Sequence, residues 1–396
     1  MGHELRGRWA LDPEVTFLNH GSFGACPREV LEAARAMRER IEREPVRFFV
    51  GELEKLYDEA RGEIAAFVGA DADDLAFVPN ATAGVSTVLR SLDFAPGEEL
   101  LTTDHAYNAC KNALDHAAAR AGAKVVVARV PFPISGPDAV VEAVLAAVTP
   151  RTKIALIDQV TSPTALVFPV DRIVSALAER GVDTIVDAAH TPGMLPMHVD
   201  AVGAAYTTGN FHKWTCAPKG AAFLHVRRDR QAGVRPLAIS HGANSPRVDR
   251  SRFRLEFDWI GTVDPTAFLC VPDALRFLAA LVPGGIPELM ARGHAAAVKA
   301  RRAVCAAVGI DPPSPDEMLG SMASVPVSAA ADVSGDQSPF DPLQEALFRD
   351  FRIEIPVFPW PAPPARLLRV STPIYVTDSD VQRLVEALRA LEVTRG

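Results

Sequence analysis

Between residues 75 and 226, short runs of Val, Ile and Leu alternate with segments of helical period, and this alternation constrains the chain more than any other feature. Near-continuous apolar runs are what strands buried on both faces look like, and a helix between each pair supplies the crossover that parallel strands need. The expected strands are residues 75–79, 100–103, 124–130, 153–160, 184–187, 204–208 and 221–226, with helix-period segments over 84–91, 108–121, 138–147 and 170–179 between them. The fold class is therefore α/β, with a seven-stranded, mostly parallel sheet at its centre. Helices are expected before it over 27–43, where Val30, Ala34, Met37 and Ile41 share a face, and over 48–67. Two more follow over 265–281 and 286–308. Residues 312–337, rich in Ser, Pro, Asp and Ala, read as an exposed loop. A strand over 367–371 and a helix over 378–391 close the chain, so both chain ends combine in a smaller α/β domain. The expected boundaries are 1–48 for an N-terminal segment serving the small domain and the active-site loop, 49–262 for the large domain and 263–396 for the small one.

Composition narrows the partners. The balance of 41 basic against 49 acidic residues, with no run of Lys or Arg long enough to track phosphates, disfavours nucleic acid and favours a small solute. Cys26, Cys110, Cys216, Cys270 and Cys305 are scattered without C-x-x-C spacing, so neither a disulfide framework nor a metal site is expected, and a reducing cytoplasm fits. Residues 1–8 lack an apolar h-region and no apolar stretch reaches membrane-spanning length, so no membrane association is expected.

The chemistry lies in Thr207-Thr208-Gly209-Asn210-Phe211-His212-Lys213-Trp214, which follows the strand ending Asp187-Ala188-Ala189-His190. A lysine at its ordinary pKa of about 10.4 is protonated and cannot attack an aldehyde; burial or a neighbouring cation makes it a nucleophile. An aspartate beside a pyridine nitrogen keeps that nitrogen protonated and the ring an electron sink. Schiff-base lysine and ring-nitrogen aspartate are the two side chains pyridoxal phosphate (PLP) most needs. The turn from strand to helix at Phe77-Val78-Pro79-Asn80-Ala81-Thr82-Ala83-Gly84-Val85 offers amides and the Thr82 hydroxyl to a phosphate.

These segments, together with Leu18-Asn19-His20-Gly21-Ser22-Phe23-Gly24, Thr103-Asp104-His105-Ala106-Tyr107-Asn108-Ala109, Gly261-Thr262 and Leu368-Arg369-Val370-Ser371, resemble in order and spacing the class V aminotransferase family of fold type I PLP enzymes. Within it the chain resembles the isopenicillin N epimerase-like branch. The resemblance implies that Lys213 holds the cofactor as a Schiff base, Asp187 pairs with the ring nitrogen, Tyr107 stacks on the ring and His190 lies near the ring's 3-oxygen. It implies that Thr82, Ala83, Asn210 and His212 grip the phosphate. It further implies a homodimer with the active site at the interface, where Thr262 reaches the partner's phosphate. Arg369 is expected to hold the substrate carboxylate by a two-pronged salt bridge, with Asn19, His20, Ser22 and Ser162 facing the substrate.

A persulfide-forming desulfurase needs a nucleophilic cysteine on a late loop, and no cysteine follows Cys305. The resemblance leaves several reactions open at the α carbon of an amino acid. They are β-elimination from an S-substituted cysteine conjugate in secondary metabolism, epimerisation, decarboxylation-coupled oxidative deamination as in lincosamide-pathway enzymes, and transamination. A non-catalytic binding protein of the same fold would be expected to have lost Lys213 or Asp187. Specificity is expected from residues 19–25, 239–257 and 312–337.

Overall fold

The computed structural model describes residues 5–328 and 339–394. A two-residue strand, β1 (Thr16–Phe17), is followed by α1 (Arg28–Arg43), a π-helical turn and α2 (Leu53–Val68). Then come β2 (Leu75–Val78), α3 (Ala81–Ser91), β3 (Glu99–Thr103), α4 (Asn108–Ala121), β4 (Lys124–Ala128), α5 (Pro137–Ala146), β5 (Thr152–Asp158), α6 (Val170–Ala178), β6 (Asp183–Asp187), β7 (Tyr206–Asn210) and β8 (Ala222–Val226). The sheet runs β2-β8-β7-β6-β5-β3-β4, with β8 antiparallel to both neighbours and the other pairings parallel. This is the seven-stranded, mostly parallel sheet that the apolar runs predict.

Alternation along the strands divides the core. Leu100, Ile154, Leu156 and Ile185 face one side with Val85 and Val88 of α3 and Leu114 of α4. Their neighbours Leu101, Ala155, Ile157 and Val186 face the other, with Ile64 of α2 and Ile173 and Leu177 of α6. Both faces are thus dry, as a parallel sheet with helical crossovers requires. Gly84 lets α3 lie close against β7, because a β-carbon there would stand 2.2 Å from Thr208 Oγ1.

β3 leads outward to β4, whereas β5 lies on its other side, so the strand order reverses between β3 and β5. Ligands in open α/β sheets bind beyond the carboxyl ends of the strands at such a reversal. Asp158, Asp187 and Asn210 are the last residues of β5, β6 and β7, and Tyr107 precedes α4 on the loop from β3.

The remaining chain folds around α7 (Val271–Ala279), α8 (Gly285–Val308), β9 (Met322–Val327), α9 (Pro342–Phe351), β10 (Ile353–Glu354), β11 (Val357–Pro359), β12 (Arg366–Ser371) and α10 (Asp378–Ala390). An antiparallel sheet of order β11-β12-β9 carries α8 and α10, while β1 pairs in parallel with β10. Leu18 joins this second core with Val304, Leu347, Ile353, Val370 and Leu388.

Two expectations are corrected. The helix expected over 265–281 is two, Thr266–Leu269 and α7, because Pro272 has no N–H to continue the ladder and sits in the first turn of a new helix. The loop expected over 312–337 contains β9, whose Met322, Ala323 and Val325 are buried against β12; its Ser and Pro content masked the alternation. Residues 329–337 of that stretch lie outside the described residues.

Candidate active site

A cavity of about 620 Å³ opens at the carboxyl ends of the strands, and Lys213, Asp187, His190, Tyr107, Thr82, Asn210, His212 and Ser162 all line it. Residues far apart in the chain thus share one cavity wall.

Lys213 follows β7 on a turn. Its Nζ lies 3.3 Å from His190 Nε2, and the Trp214 indole N–H donates to His190 Nδ1 at 3.4 Å. An indole N–H is a donor only, so Nδ1 accepts and the neutral ring carries its proton on Nε2. That proton points to Lys213, which can receive it only as a neutral amine. Electrostatics agree: burial, then the Arg369 charge, lower the Lys213 pKa to about 8. Burial, then Lys213 itself, hold His190 well below the usual imidazole value. At neutral pH the neutral amine is then about a tenth of the population, against well under a thousandth for an unperturbed lysine. Capture of PLP by the apo-protein should accelerate with pH and level off above about 8, where Lys213 is already deprotonated. Stopped-flow growth of the visible band measures this; a rate still climbing near the ordinary lysine pKa would show an unperturbed amine.

Asp187 is 2 % exposed. Its Oδ1 accepts from the Ala189 N–H at 3.0 Å and its Oδ2 from the Cys110 thiol at 3.1 Å. Burial raises its pKa, and no lysine or arginine pairs with it among the described residues, so the carboxylate stands ready for a cationic partner.

The amino terminus of α3 forms another wall. Asn80 Oδ1 accepts from Ala83 N–H and Asn210 Oδ1 from Ala81 N–H, each at 2.8 Å, which pins the helix end to β7. Thr82 lies between them on the cavity wall. The Ala83 expectation is thereby corrected: its amide is engaged by the helix cap and it is not part of the wall. His212 lines this end, with Nδ1–H donating to Ala221 O at 3.2 Å. Partial positive charge at a helix amino terminus favours an anion.

Arg369 projects from β12. Its Nη1 donates to Ser162 O (2.7 Å) and Oγ (3.0 Å), and its Nη2 to Ser22 Oγ (3.0 Å). The guanidinium is buried, its Nε has no partner and no carboxylate meets it among the described residues. Burial lowers its pKa to about 10, still charged at neutral pH. It stands just behind the wall, holding Ser22 and Ser162, which line the cavity.

Three expected residues lie elsewhere. His20 is wholly buried: Nδ1 meets Tyr375 Oη at 2.7 Å and Nε2 meets Lys213 O at 3.0 Å, so it braces the lysine turn from behind and is not free for substrate. Asn19 donates through Nδ2 to Glu354 Oε1 at 2.9 Å and stands outside the wall. Thr262 is exposed and away from this cavity within the chain. Conversely Asp158, Asn80, Phe23 and Lys219 line the cavity without having been singled out as site residues. The Asp158-Gln159 pair at the end of an apolar run was the signal available for the first.

An amine of lowered pKa, a buried carboxylate without a cation and a helix amino terminus that presents Thr82 to the cavity fit the aldehyde, ring nitrogen and phosphate of PLP. This fold and this site define a PLP-dependent enzyme of fold type I. The chain belongs to the aminotransferase class-V family, whose sequence profile matches residues 22–327. It is 35% identical over 400 residues to isopenicillin N epimerase of Amycolatopsis lactamdurans, covering 98% of this chain and 97% of that protein. It is 34% identical over 376 residues to putative L-cysteine desulfhydrase 2 of Oryza sativa subsp. japonica, covering 90% of this chain and 76% of that one. The fold matches a solved C-DES variant with glycine covalently linked to its PLP cofactor, at a TM-score of 0.79 and 19% identity, over 97% of this chain and 98% of that one.

Proposed function

We propose that this protein cleaves the carbon–sulfur bond of an S-substituted L-cysteine by β-elimination, with Lys213 as the base at the α carbon. The carrying observation is one cavity that joins a lysine of lowered pKa, hydrogen-bonded to His190, to serines held by a carboxylate-free Arg369. Bound PLP supplies an electron sink for the pair left when the α proton departs. Ser22 and Ser162, with the Arg369 charge behind them, would hold the substrate carboxylate and bring the α carbon within reach of Lys213. Lys213 takes the α proton, the Cβ–S bond breaks, and the sulfur leaves with its electron pair and is protonated to a thiol. Water then releases pyruvate and ammonium. Among the described residues no cysteine lines the cavity, which favours release of the sulfur over its capture on the protein. The rice relative's name, a cysteine desulfhydrase, supports this chemistry.

Epimerisation is the second reading, favoured by the relative named isopenicillin N epimerase and its near-complete mutual coverage. It needs an acid on the opposite face of the α carbon, and Tyr107, half-exposed at the cavity, is the phenol available. We further propose a homodimer in which the exposed Phe23, Thr262 and Val263 meet the partner subunit.

The test is to mix PLP-loaded protein with a panel of S-substituted L-cysteines in deuterated water and analyse products by mass spectrometry and chiral chromatography. Pyruvate and free thiol are expected. Deuterated, stereochemically scrambled amino acid without pyruvate would establish the epimerase instead, and loss of carbon dioxide the decarboxylating reaction.

A further inference from the structure

Asp158 ends β5 directly beside Asp187 at the end of β6, the two being register partners. It is 2 % exposed and lines the cavity. Its Oδ2 accepts the Tyr107 N–H at 3.1 Å, whereas its Oδ1 is buried without any hydrogen-bond partner. Leaving a buried polar atom unmet is costly, and the great majority of such atoms in native proteins have a partner.

We propose that Asp158 is a further cofactor-binding residue, a neutral carboxylic acid whose Oδ1–H donates a hydrogen bond to the pyridine-ring side of bound PLP. The inference rests on the reading of this cavity as a PLP site. Two adjacent buried carboxyls cannot both hold a charge without a cation between them. The division of the charge follows from the donors. Asp187 has one at each oxygen, the Cys110 thiol and the Ala189 amide, so it keeps the charge. Asp158 has one donor in all, the Tyr107 amide, so it keeps the proton. Burial, then the Asp187 charge, push the Asp158 pKa well up, in agreement. Lys213, the nearest cation facing the pair, acts against this on both carboxyls. The phosphate end of the cavity is distinct, formed by Thr82, His212 and the start of α3. Asp187 would accept from the protonated ring nitrogen, so the acceptor within reach of Asp158 is the ring oxygen, which it would share with His190. The same carboxyl also fixes the backbone of Tyr107. One residue would thus set both the ring's polar edge and the aromatic group proposed to lie against it.

The test compares Asp158→Asn, Asp158→Leu and Asp158→Ala with wild type. The readouts are PLP dissociation constants by fluorescence titration and the pH midpoint of the visible band. Circular dichroism melting of each apo-protein confirms the fold. Asparagine keeps an acceptor for Tyr107 and a donor for the cavity, so it should bind PLP within about threefold of wild type. Leucine and alanine carry no donor and should weaken binding about tenfold or more and move the band's midpoint. Unchanged affinity and midpoint in the leucine and alanine variants would overturn the inference. So would an asparagine variant as weak as they are, which would make Asp158 a charged acceptor. If wild type itself forms no visible band with PLP, the reading of the cavity fails and not this residue alone.

Discussion

Lys213→Ala is expected to form no visible absorption band with PLP, to release the cofactor on dialysis after borohydride treatment, and to lose turnover. Proton transfer by a positioned group is worth on the order of 10²–10⁴ in rate by itself. Lys213 would carry both the covalent anchor and that transfer, so the loss should reach or exceed the upper end. The fold should survive, because Lys213 makes no ion pair among the described residues and its Nζ hydrogen-bonds there to His190. The outcome is informative because a second lysine, Lys219, lines the same cavity. A band that persists in Lys213→Ala and is still bleached by borohydride would move the Schiff base to another lysine. Lys219→Ala in the same background would then identify it.

Arg369→Ala should separate substrate from cofactor. Removing one member of a buried charge pair costs about 2–5 kcal/mol, so amino-acid binding should weaken about thirtyfold or more, with PLP affinity changed several-fold at most. The expectation follows from what the guanidinium lacks. It donates to two serines and a carbonyl, yet no anion neutralises it, and a buried arginine in that state is poised for a carboxylate. Arg369→Lys should recover only part of the loss, since an ammonium cannot make the two parallel bonds. Equal losses of substrate and cofactor binding in the alanine variant would make Arg369 a structural support for Ser22 and Ser162.

The large sheet was legible because several of its strands carry unbroken apolar runs, residues 125–127 of β4 and 154–157 of β5 among them, and no tertiary information is needed to see such a run. β9 was not, since Ser324 and Pro326, although they fall regularly between the core-facing Ala323, Val325 and Val327, made the stretch look like a loop; its place beside β12 explains why it is a strand, with Ser324 Oγ donating to Pro163 O across the molecule. Lys213 and Asp187 stood out because their chemistry is specific. Asp158 did not, since a carboxylate at a strand end is ordinary until the strand is seen to lie beside Asp187. His20 was misread for the opposite reason. A histidine near a glycine on an N-terminal loop looks like a binding group, and only the fold reveals that both its nitrogens are occupied.

That histidine ties three distant parts of the chain together. Gly24 allows the contact: at φ 69° its missing β-carbon would otherwise stand 2.1 Å from His212 O. His20 then touches the Lys213 carbonyl, 193 positions later, and the Tyr375 hydroxyl, 355 positions later. A nascent chain emerging as far as β8 already contains the sheet, Asp187 and Lys213, but not the hydroxyl that orients the brace. The turn that carries Lys213 therefore gains this brace only when the chain is nearly complete, and a fragment ending at β8 holds Asp187 and Lys213 without it.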